Sequence, residues 1–221
     1  MIALKEIFPG VFQERKNIYT RSLVSSNLYG EKILRDKGAE YRHWNPFRSK
    51  IIAAVQNGLK EFPVKKESKI LYLGVAEGQT AAHLSDIIGE HGLLVGLDVS
   101  NKTMTKFIEA CGERNNLIPL LADARNTDSY EDDLKGIKFD FLMQDVSQKN
   151  QAEIFLKNSR FLKEKGFGLL SIKARSISSS LKVKKIFEGE LEVLKDDFEL
   201  LEAVDLKPFD KHHLFCVLRK K

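Results

Sequence analysis

From Lys69 onward, short apolar runs alternate with amphipathic stretches, and this alternation constrains the fold more than any other feature. The runs Ile70–Leu73, Leu93–Leu97, Leu117–Leu121, Phe139–Met143 and Gly168–Ile172 are apolar almost throughout. Between them lie Gln79–Ile88, Lys102–Arg114 and Gln151–Leu162, with apolar residues at helical spacing. Val183, Ile186, Phe187, Leu191 and Leu194 form one further helical face, and Leu200–Leu206 and Leu214–Leu218 are two closing strands. A strand that is apolar on both faces has both faces covered, so the pattern predicts an α/β fold with a Rossmann-like parallel sheet. Such sheets bind ligands beyond the carboxyl ends of their strands. Those ends carry Gly74, Asp98, Asp123, Asp145 and Lys173 in succession.

The first of these ends narrows the ligand. Gly74-Val-Ala-Glu-Gly78 permits a close backbone approach, but Ala76 stands where a dinucleotide fingerprint has its second glycine. No Gly-Lys-Ser/Thr follows, which excludes a phosphate-binding P-loop; a tight turn with no ligand is the plain alternative. Asp98 lies 24 residues after Gly74, where a carboxylate accepts from both hydroxyls of a ribose or, alternatively, caps the next helix. Asp123-Ala124 offers a carboxylate and a backbone amide to an adenine edge. A loose glycine turn with carboxylates on the second and third strands suits S-adenosylmethionine better than a dinucleotide, because no pyrophosphate needs a helix N-terminus.

Several motifs then resemble one family. Tyr41-Arg-His-Trp-Asn-Pro-Phe-Arg-Ser-Lys50 is similar to the signature that joins the two domains of fibrillarins. The segments Gly74–Asp86, Ile118–Arg125, Gln144–Gln148 and Ser171–Ala174 follow in the family's order and spacing. The resemblance runs from about Gly10 to Leu218 and, without a glycine-arginine-rich tract, is to the short archaeal form. It implies a small N-terminal β domain (residues 1–50), a methyltransferase domain (51–221) and a final strand inserted antiparallel. It also implies RNA 2′-O-methylation of rRNA and tRNA from S-adenosylmethionine, at sites selected by a box C/D guide RNA. A coiled-coil scaffold protein and a kink-turn-binding ribosomal-type protein are the implied partners. Transferred by position, the cofactor contacts are Gly74, Gln79, Thr80, Asp98, Val99, Asp123, Ala124 and Asp145 with Val146, Ser147 and Gln148. The catalytic set falls on Lys50, Asp145, Lys173 and His213. The chain departs from the family at Asp98 (usually Glu), Val99 (often aromatic), Gln79 (often Thr) and Ser147 (often Ala). His212 replaces the acid that usually precedes the catalytic histidine.

On this reading, Lys173 is the base for a ribose hydroxyl, Lys50 is a neighbouring cation, and Asp145 positions both lysine and hydroxyl. The alternative is that both lysines bind RNA phosphate, with Asp145 as their salt-bridge partner. Asp145-Val-Ser-Gln148 lacks the Asn/Asp-Pro-Pro-aromatic turn used on exocyclic base nitrogens, and no Pro-Cys is present to attack a pyrimidine. A nicotinamide-dependent oxidoreductase and a non-catalytic scaffold subunit are the competing functions.

The rest of the chain is less specific. Residues 1–43 read as short strands and turns, around Ile7–Phe12, Asn17–Thr20, Leu23-Val24 and the run after Tyr29. Pro46 is expected to open a helix reaching Leu59, with Gly58 and Pro63 closing it. Residues 1–50 hold ten Lys/Arg against five Asp/Glu, which accounts for the whole net charge of +5. That basic arm suits either an anionic partner or a solvated face. The two cysteines, Cys111 and Cys216, are far apart and expected to be reduced; no metal site is expected. No apolar run approaches the ~20 residues of a membrane span, and the N-terminus lacks signal-peptide order, so a cytoplasmic location is expected.

Overall fold

A computed structural model describes residues 4–25 and 27–221. Met1–Ala3 and Ser26, which belong to the N-terminal unit expected from the sequence, lie outside the described residues. The chain opens with strands β1 (Lys5–Phe8), β2 (Val11–Glu14), β3 (Asn17–Arg21), β4 (Ile33–Asp36) and β5 (Ala39–His43). They pair antiparallel in the order β1-β2-β3-β5-β4. Pro9-Gly10 is the turn of the first hairpin, so the alternating run Ile7–Phe12 is two strands rather than one. Leu23-Val24 is a bend, not a strand. The Leu23 N–H donates to Asp86 Oδ1 (3.0 Å) and the Ser22 hydroxyl to the Val24 carbonyl (2.8 Å), which leaves this backbone no ladder to join.

The first helix, α1 (Lys50–Gln56), starts four residues later than the sequence suggested. Asn45 accepts the Phe47 N–H on its side chain (2.9 Å) and the Arg48 N–H on its carbonyl (3.0 Å), making residues 46–48 a turn before the helix. Then follow β6 (Lys69–Leu73), α2 (Gln79–Ile88), β7 (Leu93–Asp98), α3 (Asn101–Gly112), β8 (Leu117–Leu121), β9 (Phe139–Gln144) and α4 (Gln151–Asn158). β10 (Leu162–Lys173), the one-turn α5 (Ala174–Ile177), α6 (Val183–Leu194), β11 (Phe198–Asp205) and β12 (His213–Lys220) complete the chain.

The second sheet has the order β11-β12-β10-β9-β6-β7-β8. Its β10, β9, β6, β7 and β8 are parallel, and β12 lies antiparallel between β10 and β11. The continuous apolar character of the strands has a direct cause. In β6, Ile70 and Tyr72 enter one core with α1, α2 and α3, while Leu71 and Leu73 enter a second with α4 and α6. β12 divides the same way, Phe215 and Val217 against Cys216 and Leu218. Cys216 is therefore a buried core residue, and Cys111 on α3 is partly buried; both thiols are free.

Val11 and Ile18 of the N-terminal sheet, and Trp44 just after β5, belong to the first core, so the two sheets share one hydrophobic interior. A polar cluster pins that junction. Asp86 on α2, with a fully buried side chain, accepts from Arg42 Nη2 (2.6 Å), Arg114 Nη1 (2.8 Å) and the Thr20 hydroxyl (2.8 Å), besides Leu23. Glu31 takes the other side of Arg42 (3.1 Å), and Trp44 stacks on His83 at 4.8 Å. Burial, reinforced by Arg42 and Arg114, drives the His83 pKa well down, so its ring is neutral. Two of the ten N-terminal cations, Arg42 and Lys50, are thus held inside the protein by carboxylates. Among the described residues, no helix is long and apolar enough to cross a membrane.

Candidate active site

Parallel strands end together, and here their ends form a cleft of about 290 Å³. The Gly74 and Val75 N–H groups both reach the Leu97 carbonyl (2.8 and 3.1 Å), and Asp145 N donates to the Leu73 carbonyl (2.9 Å). This lays the β6 turn across the ends of β7 and β9. Gly74 has φ +77°, and a Cβ there would sit 2.8 Å from the Asp145 carbonyl oxygen, so only glycine permits this approach. Ala76 also adopts a left-handed conformation, φ 52°, where its N–H donates to Asp98 Oδ2 (2.9 Å). The other Asp98 oxygen accepts from Ser100 N (2.9 Å), and Ser100, not Asp98, caps α3.

Gly74, Asp98, Val99, Asp123 and Ala124 line this cleft, as do Asp145, Val146, Ser147 and Gln148. Gln79 and Thr80 do not: they open α2, and the Thr80 hydroxyl donates to Ser49 Oγ (3.2 Å), bracing the start of α1. Ala76, Arg125, Ile154 and Lys173 complete the lining. Val99 is 63% exposed, leaving an apolar surface in the cleft mouth beside Asp98. Asp123 is covered by its neighbour, the Arg125 guanidinium donating to both carboxylate oxygens at 2.6–3.0 Å. That hydrogen-bonded cation holds Asp123 below the usual carboxylate range.

At one rim, Asp145 stands between two lysines. Lys50 Nζ donates to Oδ2 at 3.0 Å; Lys173 Nζ lies 2.8 Å from Oδ1. The second contact is an ion pair outside hydrogen-bond alignment, because Lys173 aims its N–H groups at the Asp145 carbonyl (2.8 Å) and Ser147 Oγ (3.1 Å). Asp145 Oδ1 is buried and faces this ammonium without an aligned hydrogen bond. His213 opens β12 directly opposite Lys173 in the antiparallel ladder, so all four residues of the expected catalytic set come together. Burial lowers the Lys50 pKa, but Asp145 and then Asp210 outweigh it, and the group stays a cation.

Two members of this site were not visible in the sequence. Asp210, three residues before His213, meets His213 Nδ1 at 2.7 Å and Lys50 at 3.6 Å. It supplies the orienting carboxylate that His212 cannot. The Lys211 carbonyl is also 3.0 Å from Nδ1. With two acceptors there, the ring proton sits on Nδ1 and the Nε2 lone pair is open. Burial and the Lys50 charge hold the His213 pKa below the ordinary imidazole value against the pull of Asp210. Asp210→Asn is expected to move it further down, read by NMR titration of the ring; an upward move contradicts this arrangement. Gln151 is the second. Its Oε1 accepts Lys173 N (2.8 Å) and its Nε2 donates to the Gln148 carbonyl (2.8 Å), tying the strand end to the 145–148 loop.

Comparison with known proteins bears directly on this site. The family model described as Fibrillarin matches residues 2–221. The chain belongs to the fibrillarin family. It is 42% identical over 224 residues to a fibrillarin-like rRNA/tRNA 2′-O-methyltransferase of Methanococcus maripaludis, covering 98% of this chain and 95% of the relative. Its fold matches Aeropyrum pernix fibrillarin, solved with natively bound S-adenosyl-L-methionine, at TM-score 0.87 and 37% identity, covering 99% of this chain and all of that one. It also matches the fibrillarin of a fibrillarin/Nop5p complex at TM-score 0.89 and 35% identity, covering 98% of this chain and all of that one. In this fibrillarin-family chain, the Tyr41–Lys50 segment has a physical role at nearly every position. Arg42, Trp44 and Ser49 are buried at the junction of the sheets, and Lys50 delivers its amine to Asp145.

Proposed function

We propose that this chain is an S-adenosylmethionine-dependent RNA ribose 2′-O-methyltransferase acting on rRNA and tRNA. One observation carries the reading: a carboxylate with a lysine within 3.0 Å of each oxygen lies at the rim of an adenosine-sized cleft. The cleft fits this cofactor. Its lining holds three carboxylates, Asp98, Asp123 and Asp145, against two cations, Arg125 and Lys173, and both cations are already paired with those carboxylates. A sulfonium is favoured there, whereas a pyrophosphate would face carboxylates, which argues against the oxidoreductase reading. Asp98 would hold the ribose hydroxyls, Val99 and Ile154 the flat faces of the adenine, and Ala124 an edge.

The bound cofactor supplies an electrophilic methyl group; this chain's residues do the rest. Asp145 is the carboxylate placed to accept from the RNA 2′-hydroxyl at the cleft rim. Lys173 is the group placed to take the proton as the oxygen attacks, a contribution of roughly 10²–10⁴-fold for a positioned base. Lys50 keeps Asp145 charged and in place, and His213, oriented by Asp210, closes the far side. Holding hydroxyl and donor in line contributes at least as much as proton transfer. The finer assignments are a box C/D guide RNA selecting the nucleotide, a coiled-coil scaffold protein and a kink-turn-binding ribosomal-type protein, with residues 1–50 and 51–221 as the two structural units. The relative's name and the Nop5p complex support RNA substrates and a protein partner. The test is reconstitution with guide RNA and partners. Methyl transfer is expected to a complementary target and to be lost when the target nucleotide is 2′-deoxy. Particle assembly without transfer, the behaviour of a non-catalytic scaffold, would refute it.

A further inference from the structure

Phe47 is 71% exposed, more than any other large apolar side chain among the described residues. It is not on a frayed segment: Pro46 and Ser49 on either side are buried, and Asn45 fixes the backbone of the turn. Its ring meets Phe209 in a T-shaped contact, centroids 5.2 Å apart at 72°. That contact joins the two segments that build one side of the site, because Phe47 lies three residues before Lys50 and Phe209 adjoins Asp210. Each phenylalanine has an exposed cation nearby, Arg48 beside Phe47 and Lys211 two residues after Phe209. Neither is in an ion pair among the described residues.

An aromatic face with flanking cations is how proteins engage unstacked bases together with their phosphates. Two exposed residues near this aromatic pair, Arg48 and Lys211, are cations, which favours an anionic partner. Resting on the ribose methyltransferase reading, we propose that Phe47, braced by Phe209, is a stacking platform for a nucleobase at or next to the methylated nucleotide. Arg48 and Lys211 would meet the adjoining phosphates. The platform would orient the ribose toward Asp145, making Phe47 a positioning residue rather than a catalytic one.

The test uses the reconstituted particle and a target short enough to dissociate reversibly, reading target affinity and turnover together. Phe47→Ala is expected to weaken target binding about 5- to 150-fold, the range for loss of one stacked base. Phe47→Tyr should stay within about 3-fold of the parent, and Phe47→Leu should resemble alanine. An abasic residue at the methylated position or one neighbour should remove the difference between parent and Phe47→Ala. Unchanged affinity in Phe47→Ala overturns the platform, as does full rescue by leucine or a loss that persists at every abasic position, which would mark a protein contact. An inactive parent whose target affinity still depends on Phe47 would overturn the enzymatic reading and leave the platform standing.

Discussion

Lys173→Ala is expected to lower the turnover of methyl transfer by roughly 10²–10⁴-fold at saturating RNA, the range for loss of a positioned proton acceptor. The effect follows from where the amine is held. Lys173 ends β10, its backbone N–H is gripped by Gln151, and its Nζ is fixed by the Asp145 carbonyl and Ser147 Oγ. The other lysine of the pair, Lys50, is held on Oδ2. Lys173→Arg should be nearly as slow, because a guanidinium keeps the charge but does not accept a proton at neutral pH. Cofactor affinity should change much less than turnover in both variants. Near-normal turnover would remove Lys173 from the chemistry and return it to the phosphate-binding role that its charge alone also permits. Steady-state kinetics with guide and target RNA separate the two.

The largest expected effect on stability is at Asp86. Its buried carboxylate faces two buried guanidiniums, Arg42 and Arg114, and also accepts the Thr20 hydroxyl and the Leu23 N–H. Asp86→Ala leaves Arg114 without its counter-charge, Arg42 with Glu31 alone and two donors without an acceptor, at a cost of about 3–5 kcal/mol. For a chain of this length that is a fall in Tm of roughly 2–4 °C per kcal/mol. Asp86→Asn keeps one acceptor oxygen, for either Thr20 or Leu23, and loses the charge, so it should lie between the two. Thermal unfolding of the three proteins ranks them; an alanine variant within 1 kcal/mol of the parent would show that the cluster is not what holds the N-terminal sheet to α2.

How much of this was legible beforehand depended on whether a signal was periodic or purely spatial. The sheet could be read because burial on both faces leaves strands apolar at every position, and helix α2 and strand β8 fall where their patterns place them. The cofactor-side carboxylates could be read because a parallel sheet aligns strand ends, whatever the loops do. The start of α1 was misplaced at Pro46 because proline suits a turn as well as a first helical position, and the Asn45 hydrogen bonds that decide between them leave no mark at helical spacing. Leu23-Val24 resembled a strand because its apolarity says nothing of Asp86, 63 residues away, capturing its backbone. Asp210 went unnoticed because a carboxylate three residues from His213 reaches it only through the particular path of the loop before β12. Thr80, expected among the cofactor contacts from its place in the motif, lies outside the cleft lining with its hydroxyl on Ser49.

The central claim is that the methyl donor, Asp145 and Lys173 converge on a single point at the rim of the sheet. A crystal structure of the protein with S-adenosylmethionine tests it most directly. The account predicts the adenosine between Asp98, Val99 and Asp123, with the sulfonium methyl directed at the space in front of Asp145 Oδ1 and Lys173 Nζ. A donor bound elsewhere, or one whose methyl points away from that pair, would contradict it.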